Sequence, residues 1–538
     1  MDAASYLSRL LRFEVLLTLL GVYLAPLIAY KAYKIFIYPY YISPLRQLPG
    51  PKNHHFLLGH TLHQLRSGHP NEPYLSWMRQ WPNPQPAGLI RYFDVGNADA
   101  VLVTSLAALR EILHDKCYSF QKPAFFKRLV ADMVGFGLVF TEGEEHKRQR
   151  RLLAGLFSPG NLREALVPLF RDKAGHMVEM LDRVVEEEGG VVDLVSLYSK
   201  IMLDIMGVFA LGVELGNLQQ PANDAAAADN SFDHCYHELF DPDSWGQILM
   251  GLNAVFPVRW LPFEANRRFK QALHTVRSQL MAIIQDRIRT VGEWRAAGVD
   301  SDAYKGKDLL TFMVAEKYYA DSDRWSQEYI MEQILTFLAA GHETTAAGLT
   351  WGTQLLIEHP DSAHRLRSEI DALLRREPVP DQRSIESLPY LHNFTREVLR
   401  LQPPGVNVAR EAVEDVVIQN KVVLPRGTTV LVQPAVLNRN PTIWGPDCDE
   451  FRPDRWDRLE GDAADPWAFA TFPLGPRVCI GKAMSLLEFK MIFVELVSKF
   501  DVEGVVPGAK VGDIRLINPS PLLRPEGGLK VRVRRRAV

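Results

Sequence analysis

Cysteine is scarce in this chain, with four in 538 residues. Cys117, Cys235, Cys448 and Cys479 lie far apart and form no C-x-x-C pair, so neither a disulfide framework nor a zinc knuckle is indicated. A reducing compartment suits this usage, and it leaves thiols free to bind a metal. An excess of one charge is also missing, since 61 basic side chains accompany 64 acidic ones. This balance gives no indication of a nucleic-acid partner.

Complete nucleotide-binding and zinc-protease motifs are absent as well. From Gly475 onward the spacing of a phosphate-binding loop is one residue too long, and Ala483 replaces the required hydroxyl residue. His342-Glu343 begins a zinc-protease pattern, but Ala346 stands where the second histidine belongs. No predicted strand is followed by G-x-G-x-x-G, so we expect no dinucleotide site.

A long uncharged apolar run is present near the N-terminus, from Val15 to Tyr30. It is slightly shorter than the roughly 20 residues that cross a bilayer. The apolar residues Ile35 to Ile37 extend it, because the lysines between can reach the interface. No A-x-A cleavage site follows, so a retained signal anchor is predicted, with a buried core helix as the alternative. More Lys and Arg follow the run than precede it, which places the remaining chain on the cytosolic side.

The chain after this run is predicted to be a single body. Leu48-Pro49-Gly50-Pro51 ends any helix and is predicted to be the hinge behind the anchor. We therefore predict an anchor and linker at residues 1–47 and one catalytic domain at residues 48–538. The body is predicted to be mainly α with a small β part, and Asn223 to Ala228 to be a surface loop. The β-like runs are Leu89–Val95, Ala100–Val103, Asp415–Ile418 and Thr428–Val432.

The most informative stretch runs from Phe472 to Gly481 and reads FPLGPRVCIG. Its prolines and glycines predict a shaped loop, and an apolar helical stretch follows. Cys479 would then lie just before a helix N-terminus, where the dipole and free N–H groups stabilise a thiolate. Arg477 adds positive charge, and Gly475 and Gly481 would let a flat ligand approach the backbone. The other three cysteines are interpreted as small buried hydrophobes.

A second informative stretch lies in a predicted long helix from Ser326 to Glu358, apolar on nearly every side. Acidic and hydroxyl side chains in such a helix are costly unless they are used or satisfied, and Glu343 and Thr344 are therefore candidates. The Thr344 hydroxyl can reach the carbonyl of Ala340, four residues earlier, and distort the helix there. A purely structural bond is the alternative.

The pattern F-x-x-G-x-R-x-C-x-G at Phe472–Gly481 resembles the haem-binding motif of the cytochrome P450 family. Four further stretches match that family in order, and the resemblance extends from about residue 48 to the C-terminus. It implies the cytochrome P450 fold, which would follow the N-terminal transmembrane helix that the apolar run predicts. It also implies haem b, with Cys479 as the axial ligand to its iron.

The resemblance also implies roles for other residues. Thr344 would hydrogen-bond dioxygen and Glu343 would relay protons. A buried structural triad would join Glu397 and Arg400 of the E-x-x-R motif to Arg455. The further cofactor-binding residues implied are His146, Arg150, Arg410, Phe472, Arg477 and Gly481. Two positions depart from the family pattern, because His146 replaces a common tryptophan and Asn438 a common histidine. A solvent-facing His146 is the alternative.

The resulting hypothesis is a monooxygenase that resembles fungal microsomal members of the family. It would insert oxygen from O2 into a hydrophobic small molecule, as a tailoring step of secondary metabolism. The expected location is the endoplasmic reticulum membrane, with electrons supplied from NADPH by a separate flavoprotein reductase. That reductase would dock on a basic helix carrying Lys147, Arg148 and Arg151. The implied substrate contacts are all apolar: Phe125, Phe126, Met133, Phe136, Phe337, Ala340, Val406, Val408, Ile517 and Leu522.

Two alternative functions remain open from the sequence. One is a non-oxygenating isomerase or dehydratase of the same family, although such enzymes need no proton relay. The other is a haem-binding membrane protein without catalysis, such as a gas sensor.

Overall fold

The computed structural model describes residues 3–83, 85–187, 189–219, 232–240, 242–300, 308–319, 325–506 and 508–537. The predicted loop at Asn223 to Ala228 lies outside these residues. The helices are α1 (Ala3–Phe36), α2 (Thr61–Arg66), α3 (Glu72–Gln80), α4 (Leu106–Arg110), α5 (Ala124–Val134), α6 (Gly143–Leu153), α7 (Pro159–Asn161), α8 (Val167–Glu187), α9 (Leu194–Met206), α10 (Phe232–Phe240), α11 (Ser244–Val255), α12 (Glu264–Ala296), α13 (Leu309–Tyr319), α14 (Gln327–Glu358), α15 (Pro360–Arg376), α16 (Gln382–Glu386), α17 (Pro389–Leu401), α18 (Pro434–Asn438), α19 (Pro441–Trp444) and α20 (Lys482–Lys499).

Short strands form a minor part, as the sequence predicted. They are β1 (Leu89–Phe93), β2 (Asp99–Val103), β3 (Phe120–Gln121), β4 (Val191–Asp193), β5 (Val408–Ala412), β6 (Val416–Ile418), β7 (Val422–Leu424), β8 (Thr429–Val432), β9 (Phe500–Gly504) and β10 (Lys530–Arg535). The largest sheet has the order β1-β2-β8-β5-β3, in which only β2 and β8 run parallel. The other sheets are β4-β10-β9 and β6-β7. β1, β2, β6 and β8 correspond to the four predicted runs, which are rich in β-branched and aromatic residues.

The long helix α14 passes through the main hydrophobic core. Ser326 caps its N-terminus, where the side-chain oxygen accepts a hydrogen bond from the backbone N–H of Tyr329. Most of its side chains are buried, which agrees with a helix that is apolar all round. At Gly341 a Cβ atom would lie 2.4 Å from the Sδ atom of Met206 on α9. A larger residue at this position would therefore push α9 away from α14.

The N-terminal helix α1 is 34 residues long, or about 50 Å at 1.5 Å per residue. Its apolar side chains that the structure describes, such as Val22 and Ile28, are largely exposed. Among the side chains described, only the stretch Leu194–Leu211 is long and apolar enough to span a membrane, and it is mostly buried in the core. A membrane-spanning role for α1 stays a prediction.

The segment predicted to be a hinge is attached to the first sheet. The backbone N–H of Arg91 in β1 donates to the carbonyl of Pro49 at 2.8 Å. A Cβ atom on Gly50 would lie 1.9 Å from the carbonyl oxygen of Arg91, so only glycine fits here. The chain that follows α1 is therefore fixed to β1 from Pro49 onward. A free hinge would not be attached in this way.

A buried ion network joins α17 to the chain that leads to the cysteine loop. Glu397 and Arg400 are completely buried, and the Glu397 carboxylate accepts two hydrogen bonds from Arg400 at 2.8 and 2.9 Å. The same carboxylate accepts from Arg455 Nε at 2.8 Å and from the Trp456 indole N–H at 2.9 Å. The predicted triad is therefore present, and Trp456 is a fourth member.

All five N–H groups of Arg400 have acceptors. Besides the two bonds to Glu397, they donate to the backbone carbonyls of Asn438, Cys448 and Glu450 at 2.6 to 3.0 Å. Asn438, which replaces the usual histidine, accepts from the backbone N–H of Ala470 at 2.8 Å. Arg400 and Asn438 thus position the backbone just ahead of the cysteine loop.

Replacing Arg400 by alanine should remove two of the hydrogen bonds that the Glu397 carboxylate accepts, and one from each of three backbone carbonyl groups. Loss of one partner of a buried ion pair costs roughly 3–5 kcal/mol. We expect Arg400→Ala to yield destabilised protein without bound haem, measured by thermal unfolding and by haem absorbance. The exposed Arg458 next to the network provides the control Arg458→Ala. Normal haem incorporation in the Arg400 variant would contradict this role.

Candidate active site

One cavity of about 440 Å³ collects most of the residues that the sequence singled out. It lies where α14, α6, β5 and α20 approach the loop of residues 472–481. Eight of the nine predicted site residues line it: His146, Arg150, Thr344, Arg410, Phe472, Arg477, Cys479 and Gly481. The ninth, Glu343, is not among the described lining residues.

Cys479 belongs to the loop that leads into α20, with Gly481 at the helix N-cap. Its side chain is accessible, although the residue lies deep in the protein, because it faces the cavity. Gly475 has φ = +102°, and a Cβ atom there would lie 2.2 Å from the carbonyl oxygen of Leu113. The expectation that Gly475 admits a flat ligand is therefore wrong. Gly475 is required by a close contact between two backbone segments, whereas Gly481 does line the cavity.

The electrostatics of Cys479 differ in part from the sequence prediction. Burial raises the pKa of the Cys479 thiol above its ordinary value, while the Gly481 N–H and the charge of Arg150 act in the opposite direction. The helix N-terminus therefore does not by itself produce a thiolate in this environment. A metal cation in the cavity would take the place of the thiol proton, since cysteine binds metals in its deprotonated form.

Positive charge is concentrated along one side of the cavity. Burial and the nearby charge of Arg477 lower the pKa of Arg410 to about 10. Burial also lowers the pKa of Lys122 well below its ordinary value, and the charge of Arg410 adds to the effect. Buried cations that repel one another along a cavity wall are stabilised by an anionic ligand, so this side of the cavity suits an anion.

The three guanidinium nitrogens of Arg477 differ in their hydrogen-bond partners. Its two terminal nitrogens donate to the carbonyl of Thr141, at 3.0 Å, and to the carboxylate of Glu142. Its Nε atom is buried and has no hydrogen-bond partner in the part of the chain that the structure describes. A buried unpaired donor beside a cavity is the group that a ligand carboxylate would satisfy.

His146 is buried, so the solvent-facing alternative is wrong. Burial, followed by the charge of Arg477, lowers the pKa of His146 to about 3. Its ring is therefore neutral near pH 7 and offers a hydrogen bond rather than a charge. The hydroxyl of Tyr118 lies 3.5 Å from its Nδ1 atom, at the limit of a hydrogen bond.

Thr344 makes the predicted bond across one turn of α14. Its hydroxyl donates to the carbonyl oxygen of Ala340 at 2.7 Å, and both residues line the cavity. This bond occupies the hydroxyl proton and leaves the oxygen lone pairs free to accept. Thr344 is therefore placed where a small ligand in the cavity can contact its hydroxyl group.

Glu343 is buried beside Arg524 and His342. Its carboxylate lies 3.2 Å from Arg524 Nη1 and 3.3 Å from His342 Nδ1. Burial alone would raise the pKa of Glu343, but the charges of Arg524 and His342 outweigh it and the pKa lies below its ordinary value. The acid is therefore ionised near neutral pH and held by a residue close to the C-terminus.

Two buried ionisable residues of the lining were not predicted from the sequence. Lys122 precedes a proline in a stretch without any motif, so no pattern pointed to it. Glu488 lies on α20, and burial raises its pKa to about 8 although a hydrogen bond from Thr345 acts in the opposite direction. The sequence feature that could have identified Glu488 is an acidic residue within the apolar sequence of α20.

The apolar wall of the cavity contains four of the ten predicted substrate contacts, namely Phe126, Phe337, Ala340 and Val408. Other predicted contacts lie elsewhere: Met133 and Val406 are buried in the protein, and the side chain of Phe136 is 54% exposed. Phe125, Ile517 and Leu522 are also not among the described lining residues. Sequence segments alone did not show which side of each element faces the cavity.

Comparison with known proteins agrees with this geometry. The model of the cytochrome P450 family matches residues 49–531. The cytochrome P450 monooxygenase sphH of Aspergillus fumigatus is 32% identical over 526 residues, covering 94% of this chain and 91% of its own. FUM15 of Gibberella moniliformis, also named a cytochrome P450 monooxygenase, is 31% identical and covers 97% and 93%. The crystal structure of the cytochrome P450DA heme domain has a TM-score of 0.72 at 23% identity, covering 91% of this chain and 98% of its own.

The fold and the cysteine-containing cavity are those of a haem-thiolate oxidoreductase. The chain belongs to the cytochrome P450 family and is a monooxygenase that uses O2 and small-molecule substrates. The family implies a haem with a thiolate ligand to its iron. The residues present fit that group, because one accessible cysteine, an unpaired arginine N–H and a cluster of cations line a single cavity.

The raised pKa of Glu488 predicts a specific pH dependence. The folded protein keeps this proton up to about pH 8, whereas the unfolded chain releases it near 4.5, so stability falls between these values. Glu488→Gln removes that loss and should be stabilised relative to wild type by on the order of 3 kcal/mol at pH 7. The apparent melting temperature should diverge between the two proteins as the pH rises. Glu495→Gln, at an ion-paired position on the same helix, is the control. A difference between Glu488→Gln and wild type that is independent of pH would contradict the raised pKa.

Proposed function

We propose that this protein inserts one oxygen atom from O2 into a hydrophobic small molecule, in a tailoring step of fungal secondary metabolism. The observation that carries the proposal is that Cys479 and the Thr344–Ala340 turn line the same apolar cavity. This arrangement supports Cys479 as the ligand for a haem iron and Thr344 as the hydroxyl group for dioxygen chemistry, around one space. The names of the fungal relatives support the monooxygenase activity.

Cys479 is proposed as the axial ligand of haem b, and the basic side of the cavity as the site for its two propionates. Thiolate-ligated haem supplies O2 activation, because the thiolate donates electron density that favours O–O cleavage. Arg477 and Arg410 would neutralise the propionates, with Arg150 and Lys122 adding charge. His146 would contribute a neutral hydrogen bond. Phe472 and Gly481 would line the space next to the macrocycle.

Thr344 and Glu343 are proposed to handle protons. The Thr344 hydroxyl, held by the Ala340 carbonyl, would accept and pass a proton at the oxygen that faces the cavity. Glu343, held in place by Arg524, would take up a proton from water and pass it on toward the Thr344 hydroxyl. Its lowered pKa suits a group that transfers protons without retaining them. Water would bridge the remaining distance, since Glu343 is not part of the described cavity wall.

The substrate is proposed to be a compact hydrophobic compound. Apart from the basic side and Glu488, the cavity wall is mostly apolar, with Phe157, Phe209 and Phe337 among its members. Apolar pockets with few polar groups bind ligands mainly through burial of hydrophobic surface.

Electrons are proposed to come from NADPH through a separate flavoprotein reductase. Lys147, Arg148 and Arg151 on α6 are exposed, and this helix also supplies His146 and Arg150 to the cavity. A basic surface over the cofactor would steer an acidic partner toward it, and this attraction would weaken at high salt.

The helix α1 is proposed to anchor the protein in the endoplasmic reticulum membrane, with the catalytic domain in the cytosol. Its length exceeds the roughly 30 Å of a bilayer core, and its described apolar side chains from Leu19 to Ile28 are exposed. The basic residues after the apolar run support this orientation.

The function is tested by reconstitution of the purified full chain with a reductase and hydrophobic candidate substrates. We expect oxygenated product only when NADPH and O2 are both present. Product formation without NADPH would instead indicate an isomerase or dehydratase. A protein that binds haem but neither shifts its spectrum with any hydrophobic compound nor consumes NADPH would be a non-catalytic haem protein.

The Thr344→Ala variant tests the proton-handling site in the same assay. We expect product per NADPH to fall roughly tenfold while peroxide rises, because proton delivery is misdirected. Thr350 provides a matched control, since it makes the same type of bond to the Ala346 carbonyl at 2.9 Å but is not a described cavity residue. Equal coupling in Thr344→Ala and Thr350→Ala would remove Thr344 from the mechanism.

A further inference from the structure

The loop of residues 135–141, between α5 and α6, forms part of the cavity wall through Leu138 and Val139. Three consecutive backbone N–H groups of this loop donate to side chains of α14. Phe136 N–H donates to Glu332 Oε2 at 2.6 Å, Gly137 N–H to Thr336 Oγ1 at 3.1 Å, and Leu138 N–H to Gln333 Oε1 at 3.0 Å. Side chains of α14 therefore accept the backbone hydrogen bonds of the loop, as the carbonyl groups of a neighbouring strand would in a sheet.

The backbone of the loop also packs closely against α14. A Cβ atom on Gly135 would lie 2.5 Å from the carbonyl oxygen of Glu332. A Cβ atom on Gly137 would lie 2.5 Å from Thr336 Oγ1 and 2.8 Å from the same carbonyl. The two glycines therefore let the loop backbone lie directly on α14, in one register.

The polar side chains that hold the loop are buried. Gln333 is 0% exposed and Thr336 is 2% exposed, in a helix that is otherwise apolar at this level. The Gln333 amide also donates to Gln149 of α6 at 3.0 Å, and the Thr336 hydroxyl donates to the Val134 carbonyl at 2.8 Å. Buried polar groups of this kind are costly when unpaired, so the two residues are satisfied only while the loop stays in place.

Glu332 extends the connection to a third element. Its Oε1 atom accepts from Arg277 on α12 at 2.7 Å, while its Oε2 atom accepts from the loop. One carboxylate therefore connects α12, α14 and the loop.

We infer that Glu332, Gln333 and Thr336 form a latch that fixes loop 135–141 against α14 and thereby determines which ligands the cavity accepts. Gln333 is the positioning residue at its centre. It is not among the described residues of the cavity wall, so its influence on a ligand passes through the loop. Thr336, in contrast, lines the cavity and can also contact a ligand directly.

A latched loop makes this wall rigid. Leu138 and Val139 then keep a fixed distance from Phe337 and Ala340 of α14, which also line the cavity. A rigid wall favours compact ligands over bulky ones, since bulky ligands require the wall to move. That the natural ligand is a substrate rests on the proposed function, whereas the latch itself does not.

The test uses Gln333→Leu in the haem-loaded full chain. We expect the amides of residues 136–138 to exchange with deuterium roughly tenfold faster, because one bond is lost and its neighbours are loosened. We also expect the ratio of spectral dissociation constants for the compact 1-phenylimidazole and the bulky clotrimazole to shift roughly tenfold toward clotrimazole. Both azoles are read by their effect on the haem spectrum and need no turnover.

The matched control is Gln354→Leu, because Gln354 is equally buried on α14 and donates to the Ala509 carbonyl far from the loop. If Gln333→Leu does not fold, Glu332→Ala against Glu328→Ala gives the same comparison, since both carboxylates accept from Arg277 and Glu332 also accepts from the loop. Unchanged exchange at residues 136–138 would overturn the latch. Faster exchange with an unchanged azole ratio would overturn its role in specificity. Absence of oxygenated product with both readouts intact would count against the proposed function only.

Discussion

The structure depends on keeping one thiol accessible at the floor of a cavity that is otherwise closed by apolar packing. Burial raises the pKa of Cys479, so the protein alone disfavours the thiolate. Nearby, four cations and a neutral imidazole crowd together although burial lowers the pKa of several of them. Both features are costly without a ligand. A group that carries a metal cation at its centre and carboxylates at its edge would satisfy both features.

The rest of the fold keeps these groups in place. The Glu397–Arg400–Arg455 network fixes the backbone before the cysteine loop. Asn438 also holds Ala470, because its side-chain oxygen accepts a hydrogen bond from the Ala470 N–H. On α14, Thr344 bonds to the Ala340 carbonyl, and three side chains accept hydrogen bonds from the loop of residues 135–141. The cavity is therefore bounded by hydrogen-bonded polar networks, while its inner surface is mostly apolar apart from the basic side and Glu488.

The features predicted correctly from the sequence are those that depend on residues only a few positions apart. Cys479 before a helix, Thr344 bonded to the carbonyl four residues earlier, and the E-x-x-R pair each depend on short spacing and were located correctly. Contacts between distant segments were not predictable in the same way. Trp456 as a partner of Glu397, Arg524 as the partner of Glu343, and the burial of His146 and Lys122 arise only when separate elements pack together. Predicted substrate contacts such as Phe136 and Met133 failed because a segment pattern does not show which side of an element faces the cavity.

The most direct test is the absorption spectrum of the reduced protein after addition of carbon monoxide. If Cys479 ligates a haem iron, the wild-type Soret band should be shifted to the long wavelength typical of a thiolate ligand. Cys479→His should still bind haem but should lose that shift. A wild-type spectrum without the red-shifted band, or a Cys479→His variant that keeps it, would contradict the account.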